Sequence, residues 1–262
     1  MDLGLSGKNV LMFGGNATIG FATSLSFAKE GANLVIASRD VDASQKVADK
    51  AKKLGSQKAI AVKADATKWK DVEAAVKKTQ EELGGIDICY HGVAWDIFGS
   101  FFELDPKEWD RIIDVNFKSL LIAFKIVLPI MKEQRHGCFI VMGSVMGRKA
   151  SPLEPVYGAC KAALVNLVHT LALELGPFGV RVNVVAPGPT PPTGPEMMSF
   201  GSGFKVFMED KKAWQSLLSE WKSVMPLRKV GNPYDSAYAV LFLASDVTGA
   251  HQTGQVLGVD GG

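Results

Sequence analysis

Short runs of apolar and β-branched residues alternate with longer segments of helical period along almost the whole chain. The runs predicted to be strands are Asn9–Phe13, Asn33–Ala37, Ala59–Val62, Asp87–His91, Cys138–Met142, Arg181–Val185 and Gln255–Val259. The segments predicted to be helices are Ile19–Glu30, Val41–Leu54, Trp69–Leu83, Lys107–Gln134, Val156–Leu175 and Pro233–Ala244. The runs lack strict apolar–polar alternation, which is typical of parallel strands covered by helices on both faces. The pattern therefore predicts an α/β fold with a doubly wound parallel sheet of about seven strands.

The segment from Gly188 to Ser223 interrupts this alternation. Its first residues are rich in proline, which excludes regular structure there, and a long loop in a compact domain is usually functional. Methionines and phenylalanines follow, among them Met197, Met198, Phe200 and Phe207. We interpret residues 188–223 as a lid over a substrate site, within a single domain that spans residues 1–262.

Composition and charge argue against several classes of protein. The net charge of +2 comes from scattered Lys, Arg, Asp and Glu, and the lysines at 50–53 and 77–78 indicate solvated helix faces rather than a nucleic-acid site. No secretory leader is visible, and no apolar run reaches the roughly 18 residues of a membrane span. Cys89, Cys138 and Cys160 lack the spacing of a zinc site and indicate a reducing compartment. We expect a cytoplasmic protein without a metal, nucleic-acid or membrane partner.

A glycine-rich turn follows the first predicted strand directly. Gly14, Gly15 and Gly20 flank Asn16, Ala17, Thr18 and Ile19 at the start of a helix. Glycines let the backbone approach a pyrophosphate closely, and the helix N-terminus offers free N–H groups to it. The position at the first strand favours a dinucleotide-binding fold of the Rossmann type over a turn without a ligand.

Ser38 and Arg39 end the second predicted strand, where such folds meet the adenosine ribose. A carboxylate at this edge binds the ribose hydroxyls of NAD, whereas an arginine pairs with the 2′-phosphate of NADP. The residues present favour NADP(H), with NAD(H) as the alternative. Asp40 opposes this interpretation if it repels the phosphate or pairs with Arg39.

Tyr157 and Lys161 lie four residues apart on one face of a predicted helix. A free tyrosine has a pKa of about 10, and a cation one turn away would lower it toward the range of a general acid or base. Ser144 follows a buried strand, at the edge where open α/β sheets place their sites. These three residues predict a site for proton transfer to or from an oxygen, and surface residues with a turn serine are the alternative.

The ordered motifs of the chain resemble those of the short-chain dehydrogenase/reductase family. They are Gly14-x3-Thr18-Ile19-Gly20, Asn116, Ser144, Tyr157-x3-Lys161, Pro187-Gly188 and Gly254-Gln255-x3-Val259-Asp260-Gly261-Gly262. The resemblance covers essentially the whole chain. It implies an NAD(P)-dependent oxidoreductase in which Tyr157 is the general acid/base, Ser144 polarises the carbonyl, and Lys161 binds the nicotinamide ribose and lowers the pKa of Tyr157.

Further roles follow only from this resemblance. Asn116 would hold a water that relays protons, Asp65 would contact the adenine, and Thr190 or Thr193 would contact the carboxamide. The implied cofactor contacts are Gly14, Asn16, Thr18, Ile19, Gly20, Ser38, Arg39, Asp65, Ala66, His91, Gly92, Tyr157, Lys161, Pro187, Gly188, Thr190 and Thr193. The family also usually forms homodimers or homotetramers, and the excess apolar residues of Lys107–Gln134 suit a helix covered on two sides.

The sequence departs from the family pattern in two places. His91-Gly92-Val93-Ala94 stands where the family has Asn-Asn-Ala-Gly, and we expect His91 to be structural rather than catalytic. Thr18 stands where the glycine motif usually has glycine. A β-branched residue disfavours positive φ, so we expect ordinary backbone dihedrals at Thr18 and a hydroxyl free to bind phosphate.

The predicted function is hydride transfer between a nicotinamide dinucleotide, preferably NADP(H), and an apolar ketone or secondary alcohol. The predicted pocket contains aromatic and thioether side chains beside the catalytic groups: Trp95, Ser144, Met146, Tyr157, Met197 and Met198. One alternative is a 3-oxoacyl reductase whose substrate is bound to a carrier or coenzyme. A second is a cofactor-bound scaffold or regulator without turnover.

Overall fold

A computed structural model describes residues 1–198 and 210–262. Its sheet has seven parallel strands in the order β3-β2-β1-β4-β5-β6-β7. The strands are β1 (Asn9–Phe13), β2 (Asn33–Ser38), β3 (Ala59–Lys63), β4 (Ile88–His91), β5 (Gly137–Met142), β6 (Val180–Pro187) and β7 (Val256–Val259). The predicted doubly wound sheet is confirmed, and the predicted strand limits differ by at most two residues.

Helices cover both faces of the sheet. In the described residues they are α1 (Thr18–Lys29), α2 (Val41–Leu54), α3 (Trp69–Leu83), α4 (Trp109–Ile113), α5 (Ser119–Gln134), α6 (Pro155–Leu175), α7 (Lys211–Val224) and α8 (Pro233–Ala244). Successive strand residues point to opposite faces. Leu11 and Phe13 therefore pack into one core with α3, α5 and α6, whereas Val10 and Met12 pack into the other with α1, α2 and α8.

The chain reverses direction across the sheet between β1 and β4. Phe13 pairs in register with His91 at this point, and His91 pairs with Val141 of β5 on its other side. Connections from the two strands leave toward opposite faces, so a crevice opens at their carboxyl ends. The glycine turn, His91 and Ser144 all lie along this edge.

The predicted helix Lys107–Gln134 is interrupted. Pro106–Glu108 forms a 3-10 turn, and α4 is joined to α5 by a π-turn over Asp114–Lys118. Periodicity predicts the extent of such a helix but not one wide turn within it, because a π-turn changes a single hydrogen-bond spacing.

The prediction of a loop from residue 188 to 223 is wrong in its second half. α7 occupies Lys211–Val224, and the Asp210 side chain caps it by accepting from the backbone N–H groups of Lys212 and Ala213. Prolines restrict only the first residues of the segment. The prediction missed a run of apolar residues with the spacing of one helical face: Trp214, Leu217, Leu218 and Trp221. Phe200 and Phe207 lie outside the described residues.

α6 is the described helix whose length and composition would allow it to cross a membrane. Its inner face packs on the sheet through Leu164 and Val168, and only 28% of its apolar window is buried within the chain. Leu173 on this helix is 81% exposed, and Leu121 on neighbouring α5 is 40% exposed. α6 is therefore a core helix with a second, uncovered apolar face.

Candidate active site

Close backbone approach shapes the turn after β1. Gly14 has a φ of +78°, in the region that favours glycine. A Cβ on Gly20 would lie 1.9 Å from the Gly14 carbonyl oxygen, and one on Gly14 would lie 3.1 Å from the backbone carbon of Gly92. Any side chain at these positions would therefore push the turn away from α1 or β4.

Thr18 has a φ of +40°. The expectation of ordinary dihedrals at this residue is therefore wrong: the turn forces a β-branched residue into the left-handed region, at a cost of about 1–3 kcal/mol. Its hydroxyl also has a partner, since it donates to the Met197 carbonyl at 3.4 Å. Met197 packs against α1 and is 3% exposed, so this contact joins the start of the lid to the glycine turn.

The first turn of α1 suits an anion. No described side chain caps it and it contains no acidic residue, whereas α2 is capped by Asp40, which accepts from the Ala43 N–H. An uncapped N-terminus leaves N–H groups and the positive end of the helix dipole facing the crevice. With the glycine turn beside it, this edge fits the pyrophosphate of a dinucleotide.

The carboxyl end of β2 carries Ser38, Arg39 and Asp40. The Ser38 hydroxyl lies 2.8 Å from the Ser44 hydroxyl and donates to the Asp40 carbonyl at 2.9 Å. Asp40 is engaged as the cap of α2, and Arg39 is exposed and forms no ion pair within residues 1–198 and 210–262. The guanidinium is therefore not committed to Asp40.

The other predicted cofactor residues follow the ends of their strands. Asp65 and buried Ala66 come after β3, and one Asp65 oxygen accepts from the Thr67 N–H and hydroxyl. Thr190, after β6, is buried and donates to the Gly188 carbonyl, whereas Thr193 is exposed and contacts the Met197 sulfur. Both threonines thus form local contacts in this structure.

The Ser144 side chain lies beside the Tyr157 hydroxyl and favours its ionised form. Ser144 follows β5 and caps the 3-10 turn Val145–Gly147 by accepting from the Met146 N–H at 3.2 Å. Gly147 brings this turn against α6, because a Cβ there would lie 2.7 Å from the Lys161 carbonyl oxygen. The structure therefore brings the predicted serine and tyrosine together.

Lys161 lies beneath this pair, only 1% exposed. Its Nζ donates to the Met142 carbonyl at 3.1 Å and lies 5.2 Å from the centroid of the Tyr157 ring. Burial lowers the pKa of Lys161 to about 8, against the opposing influence of Cys160 and Asp96. The ammonium is still mostly charged at neutral pH.

The prediction that Lys161 lowers the pKa of Tyr157 does not hold for the chain alone. Burial raises the pKa of Tyr157, and the Ser144 side chain only partly opposes it. Desolvation disfavours the phenolate, and the nearby Glu154, Asp96 and Cys160 disfavour it further. The phenol is consequently protonated at neutral pH.

Asn116 lies in the π-turn and is 2% exposed. Its amide nitrogen donates to the Ile112 carbonyl at 2.9 Å and the Trp95 carbonyl at 2.5 Å, and its amide oxygen accepts from the Trp95 N–H at 3.4 Å. Asn116 therefore holds the backbone that follows β4. Its implied role in a water relay stays a prediction.

Two carboxyl groups beside Tyr157 were missed by sequence reasoning. Asp96 and Glu154 interact with each other and both affect Tyr157 electrostatically, and one Asp96 oxygen is buried without a hydrogen-bond partner among the described residues. Burial raises the pKa of Asp96 to about 7 and also raises that of Glu154, so the pair holds a proton near neutral pH. The only signal in the sequence was that Asp96 follows Trp95 and that Glu154 comes shortly before Tyr157. Two residues from distant segments do not form a sequence motif.

The predicted pocket residues divide into two groups. Trp95 and Tyr157 share an apolar cluster whose other members are Ile97, Leu104, Trp109, Ile112, Phe117, Val156 and Cys160. Met146 adjoins this region through Ser144. Met197 lies elsewhere, in the core beside α1, and half-buried Met198 follows it with its N–H on the Pro195 carbonyl.

Comparison with known proteins places this geometry among oxidoreductases. A family model described as enoyl-(acyl carrier protein) reductase matches residues 14–262. The chain is 33% identical to oxidoreductase UcpA of Salmonella typhimurium, over 98% of this chain and 95% of that protein. It is 32% identical to 3-oxoacyl-[acyl-carrier-protein] reductase FabG of Chlamydia muridarum, over 98% of each. A crystal structure of a short-chain type dehydrogenase/reductase from Mycobacterium marinum is similar with a TM-score of 0.84 and 28% identity, over 100% of this chain and 96% of that one.

Proposed function

The chain belongs to the short-chain dehydrogenase/reductase family and is an NAD(P)-dependent oxidoreductase, and from that premise we propose that it reduces an apolar ketone with NADPH. The observation that carries the proposal is the grouping of half-buried Ser144 and protonated Tyr157 with buried, charged Lys161 at the carboxyl edge of β5. A neutral phenol next to a cation can serve as a proton donor, because the cation stabilises the phenolate that remains.

The proposed chemistry assigns one task to each residue. The turn after β1 and the start of α1 would hold a reduced dinucleotide, whose chemistry would be to supply a hydride to the carbonyl carbon. The Tyr157 hydroxyl donates its proton to the carbonyl oxygen, and Ser144 donates a hydrogen bond to the same oxygen. The phenolate that remains is stabilised by Lys161 from below, because a buried cation interacts strongly with charge that develops nearby.

Preference for NADPH is supported by the end of β2. Arg39 is exposed there without an acidic partner among the described residues, and Asp40 is occupied as a helix cap. A 2′-phosphate would gain a charge-assisted hydrogen bond from Arg39. NADH would leave Arg39 solvated at little cost, so the proposed discrimination is a preference rather than an absolute block.

An apolar substrate is supported by the wall beside Tyr157. Trp95, Ile97, Val156 and Trp109 belong to one hydrophobic cluster there, and Asp96 and Glu154 add a single polar region. Such a pocket favours a ring or chain over a sugar, whose hydroxyls would need many polar partners.

A 3-oxoacyl thioester is the second candidate substrate, and the likeness to FabG of Chlamydia muridarum favours it. Acetoacetyl-coenzyme A, assayed beside free ketones, separates these substrates directly.

The proposal is tested by a panel of alicyclic, aromatic and aliphatic ketones with NADPH and NADH, following absorbance of the reduced nicotinamide. We expect turnover of apolar ketones, with a higher kcat/KM for NADPH. Sugars or polyols as the best substrates would contradict the apolar pocket. Dinucleotide binding without turnover of any carbonyl, thioesters included, would favour the scaffold alternative instead.

Assembly into dimers or tetramers is also proposed. The uncovered apolar face of α6 and the exposed Leu121 of α5 support it, because burial of such a face against a second copy removes apolar area from water. Light scattering at micromolar concentration should give a multiple of the chain mass. A monomeric mass would refute assembly through this face.

A further inference from the structure

The π-turn leaves one carbonyl group without its usual helical partner. In an α-helix the N–H of residue 119 would donate to the carbonyl of Val115. Here the Ser119 N–H donates to Asp114, five residues back. The Ser119 side chain takes the vacated place, since its hydroxyl donates to the Val115 carbonyl at 2.7 Å.

This arrangement determines which nitrogen of His91 carries the proton. Ser119 has a single hydroxyl hydrogen, which the Val115 carbonyl already accepts. The Nε2 of His91 lies 3.2 Å from the Ser119 oxygen and must therefore donate to it. Both side chains are buried, at 3% and 0% exposure. His91 is thus the neutral tautomer with hydrogen on Nε2, and burial together with the Lys161 cation opposes a second proton more strongly than the His91 backbone favours one.

We propose that His91 is a positioning residue, which holds the Ser119 hydroxyl on Val115 and so fixes the π-turn that presents Asn116 to Trp95. The His91 backbone is fixed in the sheet between Phe13 and Val141. Because the His91 side chain contacts Ser119, it fixes this part of the helix relative to the sheet. Asn116 in turn fixes the Trp95 backbone, which borders the site of Tyr157.

This inference rests on the proposed function for its kinetic effect but not for its structural claim. The structural claim is tested by ¹⁵N NMR of the histidines in the whole protein, between about pH 5 and 8. We expect His91 to keep hydrogen on Nε2 alone throughout that range. An Nδ1–H tautomer or an imidazolium would overturn the inference, and this readout needs no substrate.

The kinetic test compares His91→Phe, which keeps a ring but lacks the donor, with His91→Gln, which restores an N–H at a similar reach. Single-turnover hydride transfer at saturating dinucleotide should slow about ten- to a hundred-fold in His91→Phe, because small misplacement of a site is costly. His91→Gln should recover most of the rate. A rate near that of the unmodified protein in His91→Phe would overturn the inference.

Coupling to Asn116 separates positioning from general destabilisation. If His91 acts through Asn116, the double variant His91→Phe/Asn116→Ala should transfer hydride only slightly more slowly than Asn116→Ala alone. If the two residues act independently, the two rate losses would multiply, and that result would overturn the inference. Thr79→Val is a matched control, since Thr79 is buried and donates to the Ala75 carbonyl in α3, remote from the site. That control should lower Tm without slowing hydride transfer. Failure of the unmodified protein to reduce any carbonyl would instead count against the proposed function and leave the tautomer result standing.

Discussion

The two ends of the crevice differ in whether backbone groups or side chains form them. The dinucleotide end consists mainly of backbone, with glycines in close contact and an uncapped helix, and its charged side chain at the end of β2, Arg39, is exposed. The chemical end consists of side chains, among them His91, Asn116 and Lys161, each buried and hydrogen-bonded. Backbone geometry tolerates changes of charge nearby, whereas buried polar groups depend on every partner. Substitutions at the two ends should therefore differ in size and in kind.

The largest effect is expected at the chemical end, for Tyr157→Phe. The variant keeps the ring but lacks the proton donor, and general acid catalysis contributes about 10²- to 10⁴-fold. We expect kcat to fall by at least that factor while NADPH binds normally. Tyr238→Phe is the control, because Tyr238 is 60% exposed on α8. A near-normal kcat in Tyr157→Phe would remove the proposed mechanism.

A smaller effect is expected at the dinucleotide end, for Arg39→Ala. Loss of one charge-assisted hydrogen bond costs about 1.5–3 kcal/mol, or about ten- to a hundred-fold in NADPH affinity. NADH affinity should hardly change, and Ser38→Asp should reverse the preference by repelling the phosphate. Lys53→Ala, at the exposed far end of α2, controls for the change in net charge. Fluorescence titration measures all four proteins, and tighter NADH binding by the unmodified chain would contradict the interpretation of Arg39.

Acid should destabilise the chemical end through His91. Burial holds the pKa of His91 at about 3 rather than 6.5. Below pH 6.5 the His91 imidazole therefore binds a proton in the unfolded chain but not in the folded chain. The contribution of His91 to the free energy of unfolding is thus complete above pH 6.5 and is lost as the pH falls toward 3, by about 1.4 kcal/mol per pH unit. Asp96 acts oppositely: its pKa is raised from 3.8 to about 7, so its contribution is lost as the pH rises through that range.

Urea unfolding at pH 7 and pH 5 isolates the histidine contribution. Between pH 7 and pH 5 the free energy of unfolding of the unmodified protein should fall by about 2 kcal/mol more than that of His91→Phe, because the variant lacks the pH-dependent contribution of His91. His251→Phe, at an exposed histidine, should show no such difference. Equal pH dependence of His91→Phe and the unmodified chain would mean that His91 is protonated in the folded state.

The smallest effect is expected for Thr18→Gly at the dinucleotide end. Glycine relieves the positive φ but gains freedom in the unfolded chain, so a net stabilisation of at most about 1 kcal/mol is expected. Thr18→Ala loses the same hydroxyl but keeps a Cβ, and it should gain less. Urea unfolding compares the two, and an equal free energy of unfolding would show that the turn at Thr18 is unstrained.

Sequence patterns predicted most of the framework. The seven strands and helices such as Val41–Leu54 and Trp69–Leu83 are confirmed, because apolar periodicity is a local property that burial on a sheet preserves. Ser144, Tyr157 and Lys161 were correctly expected near one another, because strand ends and one helix face fix their placement. The π-turn was not predictable in this way, since it alters one hydrogen bond without altering composition.

The remaining errors concern properties that depend on tertiary contacts. The φ of Thr18 is set by close packing between the turn and its neighbours, which overrides the local preference of a β-branched residue. The direction of the pKa shift of Tyr157 is set by its burial and by the carboxyl groups beside it, and neither can be read from a spacing of four residues. Asp96 and Glu154 meet only after residues far apart in the chain fold together.

The π-turn at Asp114–Lys118 holds one residue more than an α-helix uses for the same rotation. Removing one residue there would restore regular helix and leave the register of α5 unchanged. Leu120, Phe124 and Val127 would keep their places in the core, so the cost of such a deletion would fall on the contacts of Asn116 and Ser119. Loss of a single codon at this point is thus expected to preserve the fold and to change the site.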